Sequence, residues 1–158
     1  MGALFPGLKG MLNYHPLFVH FPIALWMAAL AFEVASHAAR REALHRIACA
    51  VLALGALAAV PAVMSGWSAE AAVPASGAAH DVKELHETLM VTSSILSGIL
   101  AALGLFVLPR RPLAALRAAF VLGLLLLAGM VAVGADRGAL LVYHYGTGVD
   151  WAAAQSQR

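Results

Sequence analysis

The chain has 158 residues, of which 62% are hydrophobic and 11% charged, with a net charge of +2 and a single cysteine. A soluble domain carries about 25% charged residues, so that class is excluded and the solvent is lipid. Cys49 alone rules out an intrachain disulfide, a zinc–thiolate cluster and covalent c-type haem attachment. No glycine-rich phosphate loop, GxSxG elbow or basic nucleic-acid patch occurs, so no nucleic-acid partner is expected.

Residues 1–15 read as a short apolar arm broken by Pro6, Gly7 and Gly10. Four apolar runs follow, at 17–36, 43–67, 88–108 and 113–135. At 1.5 Å per residue each is long enough to cross a hydrocarbon core of about 30 Å. The first run is full length with no basic region before it, so it reads as a retained span rather than a cleaved signal. Pro16 suits a first helical position, which makes His15 the expected cap, and Pro22 inside the span predicts a small kink. The second span holds Pro61 and closes on Ser65, Gly66 and Trp67, an aromatic boundary anchor. The third begins from about Asp81 as a charged turn around His86 and enters through Ser93, Ser94, Ser97 and Gly98, a stripe that permits close helix contact. The fourth leaves through Gly134, Asp136 and Arg137 into an outer segment, 136–158, of which Gly138 to Val149, with Leu140, Leu141, Val142 and Tyr143 before Gly146 and Gly148, is expected to be structured and to fold back on the outer face. The prediction is one all-α domain over 1–158, an integral membrane four-helix bundle.

Arg40, Arg41 and Arg46 lie between the first two spans and Arg110, Arg111 and Arg117 between the last two, against Lys9, Lys83, Arg137 and Arg158 on the other side. The positive-inside rule makes the arginine loops cytoplasmic and puts both termini on the outer, periplasmic face of a bacterial inner membrane.

This topology sorts the seven histidines. His15, His20, His80, His86 and His144 fall in the outer half, whereas His37 and His45 read as ordinary loop residues. His20 lies roughly 6 Å below the start of its helix, where ionisable groups usually serve function. His86 enters at a comparable level on the third helix. Two imidazoles facing each other across a bundle can hold a b-type haem, so His20 and His86 are the expected axial ligands. His80 stands about 120° from His86 on a continuous helix, and His15 about 140° from His20. His15 or His144, the latter reaching in from the tail, is expected in support or as a ligand of a second haem, and His80 serves another metal site or none. Glu33 reads as a carboxylate snorkelling toward the arginine loop, with a proton relay as its alternative. Glu70, Asp81, Glu84, Glu87 and Asp136 form a solvated acidic rim. Tyr14, Trp67, Tyr143, Tyr145 and Trp151 form an interfacial aromatic belt, with quinone binding nearby as the functional alternative. Met27, Met64, Met90 and Met130 read as packing residues and Cys49 as a buried thiol.

The run His15-Pro16-Leu17-Phe18-Val19-His20-Phe21-Pro22 resembles the opening signature of the DUF2231 membrane proteins. Gly66-Trp67, His86-Glu87 and Leu141-Val142-Tyr143 before Gly146 and Gly148 are similar to that family's other recurrent elements. The resemblance implies a four-helix bacterial membrane protein found beside or fused to redox modules such as cytochrome c or Rieske-type domains. It carries over His15, His20 and His86, while His144 lies one position from a histidine of some relatives.

The leading expectation is a b-type cytochrome-like electron-transfer subunit rather than a stand-alone enzyme, binding haem b and linking the quinone pool to a periplasmic cytochrome c or another redox subunit. One alternative is a copper, zinc or iron site built from the outer histidines with Glu84, Glu87 or Asp136. The other is a cofactor-free anchor subunit, with a homo-oligomer among the arrangements open to it. The haem pairing requires the first and third helices to face each other at the outer end.

Overall fold

The computed structural model describes residues 11, 13–72 and 76–149; Trp151, Lys9, Arg158 and most of the 1–15 arm lie outside them. Helix α1 (His15–Ala39), α2 (Glu42–Ala72), α3 (Ala78–Ala102) and α4 (Ala114–Tyr143) make up the fold, with a π-helical turn, Leu103–Val107, continuing α3. All four are long and apolar enough to cross a membrane, and the chain is a multi-pass membrane protein. Large apolar side chains such as Phe21, Leu57, Met64 and Leu122 point outward, as helices bathed in lipid require.

The helix ends depart from expectation in ways local bonding explains. His15 is the first residue of α1 rather than its cap, because its backbone N–H donates to Asn13 Oδ1 at 3.2 Å and Leu17 N–H to Tyr14 O at 3.0 Å. Helix α4 does not end at Asp136 but runs on to Tyr143. The separate 136–158 segment therefore begins eight residues later: Tyr145 N–H bonds to Leu140 O, Gly146 N–H to Val142 O and Thr147 N–H to Leu141 O, turning the chain back over the helix end. The π turn has no counterpart in the sequence reading. Its signature is Leu108 N–H donating to Leu103 O at 3.0 Å, the five-residue spacing of a π-helix.

Each helix packs on its chain neighbours and α4 closes the ring on α1, which leaves α1 and α3 across the diagonal. The interior is built from one stripe per helix. On α1 it runs His15, Val19, Pro22, Trp26, Ala29, Glu33, Ser36; on α3, His86, Met90, Ser93, Ser97, Leu100, Gly104; on α4, Arg117, Phe120, Leu124, Leu127, Val131, Gly134, Gly138, Leu141. Each alternates steps of four and three, the 3.5-residue period of helices that pack knobs into holes with a slight left-handed supercoil. Phe120, Leu52, Leu124 and Leu127 are fully buried at the centre. The beginning of α1, the end of α4 and the α2–α3 connection share one end of the bundle, here the histidine end. The α1–α2 and α3–α4 connections share the other, the arginine end.

Candidate functional site

At the histidine end the diagonal helices deliver one histidine each to a common cavity of about 190 Å³. His15 enters from α1 and His86 from α3. The walls are mainly apolar: Val19, Ile23 and Trp26 of α1, Ala59, Ala62 and Val63 of α2, and Met90 and Val91 of α3. Thr147 and Gly148 of the returning tail cover the end, so the predicted fold-back forms part of the site.

Each imidazole is fixed through Nδ1. His86 Nδ1–H donates to Gly134 O of α4 at 2.7 Å. Since a carbonyl only accepts, Nδ1 carries a proton, and in the neutral ring Nε2 is then bare. For His15, Ser65 of α2 decides the matter: its hydroxyl donates to Ala62 O at 2.8 Å, so the same oxygen accepts from His15 Nδ1–H at 3.1 Å. Nε2 of His15 is bare as well. Both rings lie against glycines, and a Cβ at Gly66 or Gly138 would come within 3.1 Å or 3.0 Å of Cε1 of His15 or His86 respectively. The cavity is thus a mainly apolar space lined by two imidazoles whose Nδ1 atoms are engaged with neighbouring helices. Trp26 lines it too, and its buried indole N–H has no partner among the described residues.

The cavity reaches the surface along the α2–α3 seam, where Trp67 Nε1–H donates to Glu87 Oε1 at 2.8 Å and Lys83 pairs with Glu70 at 2.6 Å. Glu87, Glu70 and Trp67 all line it, so part of the expected acidic rim and aromatic belt is the cavity mouth.

The expected His20–His86 pair does not form. His20 lies off the inner stripe, is exposed, and donates Nδ1–H to Pro16 O at 2.7 Å on its own helix. A five-residue separation turns it about 140° from His15, and the structure places His15 inward. His80 is exposed and pairs with Glu84 at 3.1 Å. His144 does not reach in; it too is exposed and stands edge-on to Tyr145 with ring centroids 4.8 Å apart. Glu84 and Asp136 are exposed at the surface. Among the described residues no three His, Cys, Asp or Glu side chains are arranged to hold a metal ion.

A second polar centre, missed from the sequence, lies at the arginine end. Glu33 does not snorkel: it is 0% exposed, and its carboxylate accepts from His45 Nδ1 at 2.6 Å, Arg117 Nε at 3.1 Å and His37 Nε2 at 3.2 Å. Arg117 also donates to Glu42 Oε2 at 2.9 Å and Ser36 Oγ at 3.0 Å. His45 is not a loop residue but buried in α2, with Cys49 Sγ 3.5 Å from its Nε2 and Phe120 edge-on at 5.5 Å. Cys49 is buried as expected and rests on the bare Cα of Gly104 in the π turn, where a Cβ would lie 2.6 Å from Sγ. The network ties α1, α2 and α4 together. The available signal was positional, since Glu33 and Ser36 continue the four–three stripe that starts at His15.

A family model described as "Predicted membrane protein (DUF2231)" matches residues 11–151. No curated protein and no solved structure matches the chain.

Proposed function

This chain belongs to the DUF2231 family of predicted membrane proteins, and on that footing we propose that it is a quinol-binding subunit of a membrane electron-transfer system, with its histidine end toward the outer compartment. The observation that carries the reading is the pair of imidazoles, His15 and His86, that line one apolar cavity while their Nδ1 atoms are engaged elsewhere, which in the neutral rings leaves each Nε2 as an acceptor. A hydroquinone presents two hydroxyl donors on a flat apolar ring, and such a pair of acceptors suits it. The size agrees: a cavity of about 150 Å³ admits benzene, so 190 Å³ suits one substituted ring. The surplus of arginines at the opposite end supports the orientation.

The chemistry is that of quinol oxidation. Each hydroxyl donates to an Nε2; as the ring loses two electrons, its two O–H protons pass to His15 and His86. The electrons leave one at a time to a one-electron carrier of the c-type cytochrome class, and the quinol becomes quinone. Ser65 and Gly134 O hold the Nδ1–H bonds throughout, so each imidazole stays aimed while it carries a proton.

A second reading places a haem iron between the same nitrogens, favoured by the donor set, since metal-bound histidines commonly donate their other N–H to a carbonyl or hydroxyl. The room does not fit. Pockets for drug-sized ligands span roughly 300–1,000 Å³, and a four-pyrrole macrocycle exceeds 190 Å³ unless α1 and α3 move apart. No step is assigned to haem here.

One preparation separates the readings. Protein purified from haem-replete cells is examined oxidised and dithionite-reduced, then titrated with a short-chain quinol while tryptophan emission is followed, because Trp26 and Trp67 line the cavity. A featureless difference spectrum with saturable quenching, abolished by Ala62→Phe filling the cavity, is the expected outcome. A reduced b-type α-band lost in His15→Ala and His86→Ala would establish the haem reading instead. Absence of both signals would sink both.

A further inference from the structure

The arginine end holds a larger cavity, about 770 Å³ in volume, with two unlike walls. One wall is cationic: Arg40, Arg41 and Arg46 line it from the α1–α2 turn and the first turns of α2, and Arg117 of α4 lines it too. The other is apolar, formed by Leu105, Leu108 and Leu113 with the prolines at 109 and 112.

Three features separate this cavity from a general excess of positive charge. Helix α1 ends with Arg40 in the left-handed region at φ 52°, its N–H returning to Ser36 O, so only two residues join α1 to α2 and both are arginines held at the cavity rim. The nearby carboxylates are already engaged, because Glu33 and Glu42 bind Arg117. Arg40, Arg41 and Arg46 have no acidic partner among the described residues. Arg110 and Arg111, equally charged and at the same end of the bundle, do not line the cavity.

We propose that this cavity is a binding site for a phosphate-bearing amphiphile, an anionic phospholipid whose phosphate lies against Arg40, Arg41 and Arg46 and whose glycerol and upper acyl chain lie along Leu105, Leu108 and Leu113. Guanidinium groups recognise phosphate oxygens through paired N–H bonds, and basic pockets between membrane helices suit anionic headgroups. Free phosphate shares the charged half of this chemistry but makes no use of the apolar wall. The site does not depend on the quinol reading, since it lies at the opposite end of the bundle.

The test is native mass spectrometry of the detergent-purified full chain incubated with phosphatidylglycerol or phosphatidylcholine. Two variants of equal charge change are compared, Arg40→Gln/Arg46→Gln and Arg110→Gln/Arg111→Gln, each checked for an unchanged melting temperature. The expected result is at least a ten-fold preference for phosphatidylglycerol. That preference falls at least ten-fold in the Arg40/Arg46 double variant and less than two-fold in the Arg110/Arg111 one, and millimolar inorganic phosphate does not displace the lipid. Equal losses in both variants would show diffuse electrostatics and overturn the site, as would no preference at all. Displacement by inorganic phosphate would make it a free-anion site and overturn the lipid assignment.

Discussion

Replacing Arg117 with leucine is expected to lower the stability of the bundle in detergent by about 3 kcal/mol, the lower end of the cost of breaking a buried ion pair. The reasoning starts from Glu33, a carboxylate with no exposed surface. Taking such a group out of water costs several kcal/mol unless partners satisfy it. Arg117 provides one of these partners at 3.1 Å and orients itself through Glu42 and Ser36. In its absence His45 and His37 still hold the carboxylate, which is why the lower end applies. The diagnostic comparison is the double variant Arg117→Leu/Glu33→Gln. If the penalty comes from a stranded charge, removing that charge should recover more than half of the loss; a simple loss of arginine packing would leave the double variant as unstable as the single. Denaturant titration followed by circular dichroism measures both.

The second large effect concerns the histidine end. His15→Leu and His86→Leu should each weaken quinol binding about 10–100-fold, because each strands one quinol hydroxyl in an apolar cavity, at about 1–3 kcal/mol per unsatisfied buried group. His20→Leu and His144→Leu should change it by less than two-fold, as both side chains are exposed and neither lines the cavity. Isothermal titration of the four variants tests the assignment of His15 over His20, which the sequence reading had reversed.

That reversal shows what hydropathy reveals and what it does not. Four runs of about twenty apolar residues gave the number of helices, because the length of a span is set by the thickness of the bilayer. The gathering of five histidines at one end followed from chain order alone. Rotation of each helix about its axis did not follow, because in lipid both the inner and the outer faces are apolar and the usual contrast between them vanishes. Depth favoured His20, whereas facing depends on the stripe. Read with the four–three period, Trp26, Ala29, Glu33 and Ser36 extend back to Val19 and His15 and leave His20 outside; Ser93 and Ser97 extend back to Met90 and His86. The same stripe carries Glu33 inward and explains why a snorkelling assignment failed. His45 was hidden differently: it falls inside the second apolar run, but the flanking Arg40, Arg41 and Arg46 made it read as part of the arginine loop, whereas only two residues separate α1 from α2 and His45 lies in the first turn of α2. The roles of Ser65 and Gly134 depend on contacts between helices and left no trace in sequence spacing.

The same hydrogen bonds that fix the two tautomers lead to the sharpest test of the account. Bare Nε2 atoms accept hydrogen bonds and donate none, so among the described residues two acceptors stand against one buried free donor in the wall, the Trp26 indole N–H, and the cavity should prefer the hydroxyls of a hydroquinone to the carbonyls of its oxidised form. The measurement is the pair of dissociation constants, at pH 8, for one short-chain quinone in its reduced state under anaerobic conditions and in its oxidised state. The prediction is binding at least ten-fold tighter for the reduced form, a preference that disappears in His15→Leu and His86→Leu. Equal affinity for the two forms, or tighter binding of the oxidised one, would contradict the account.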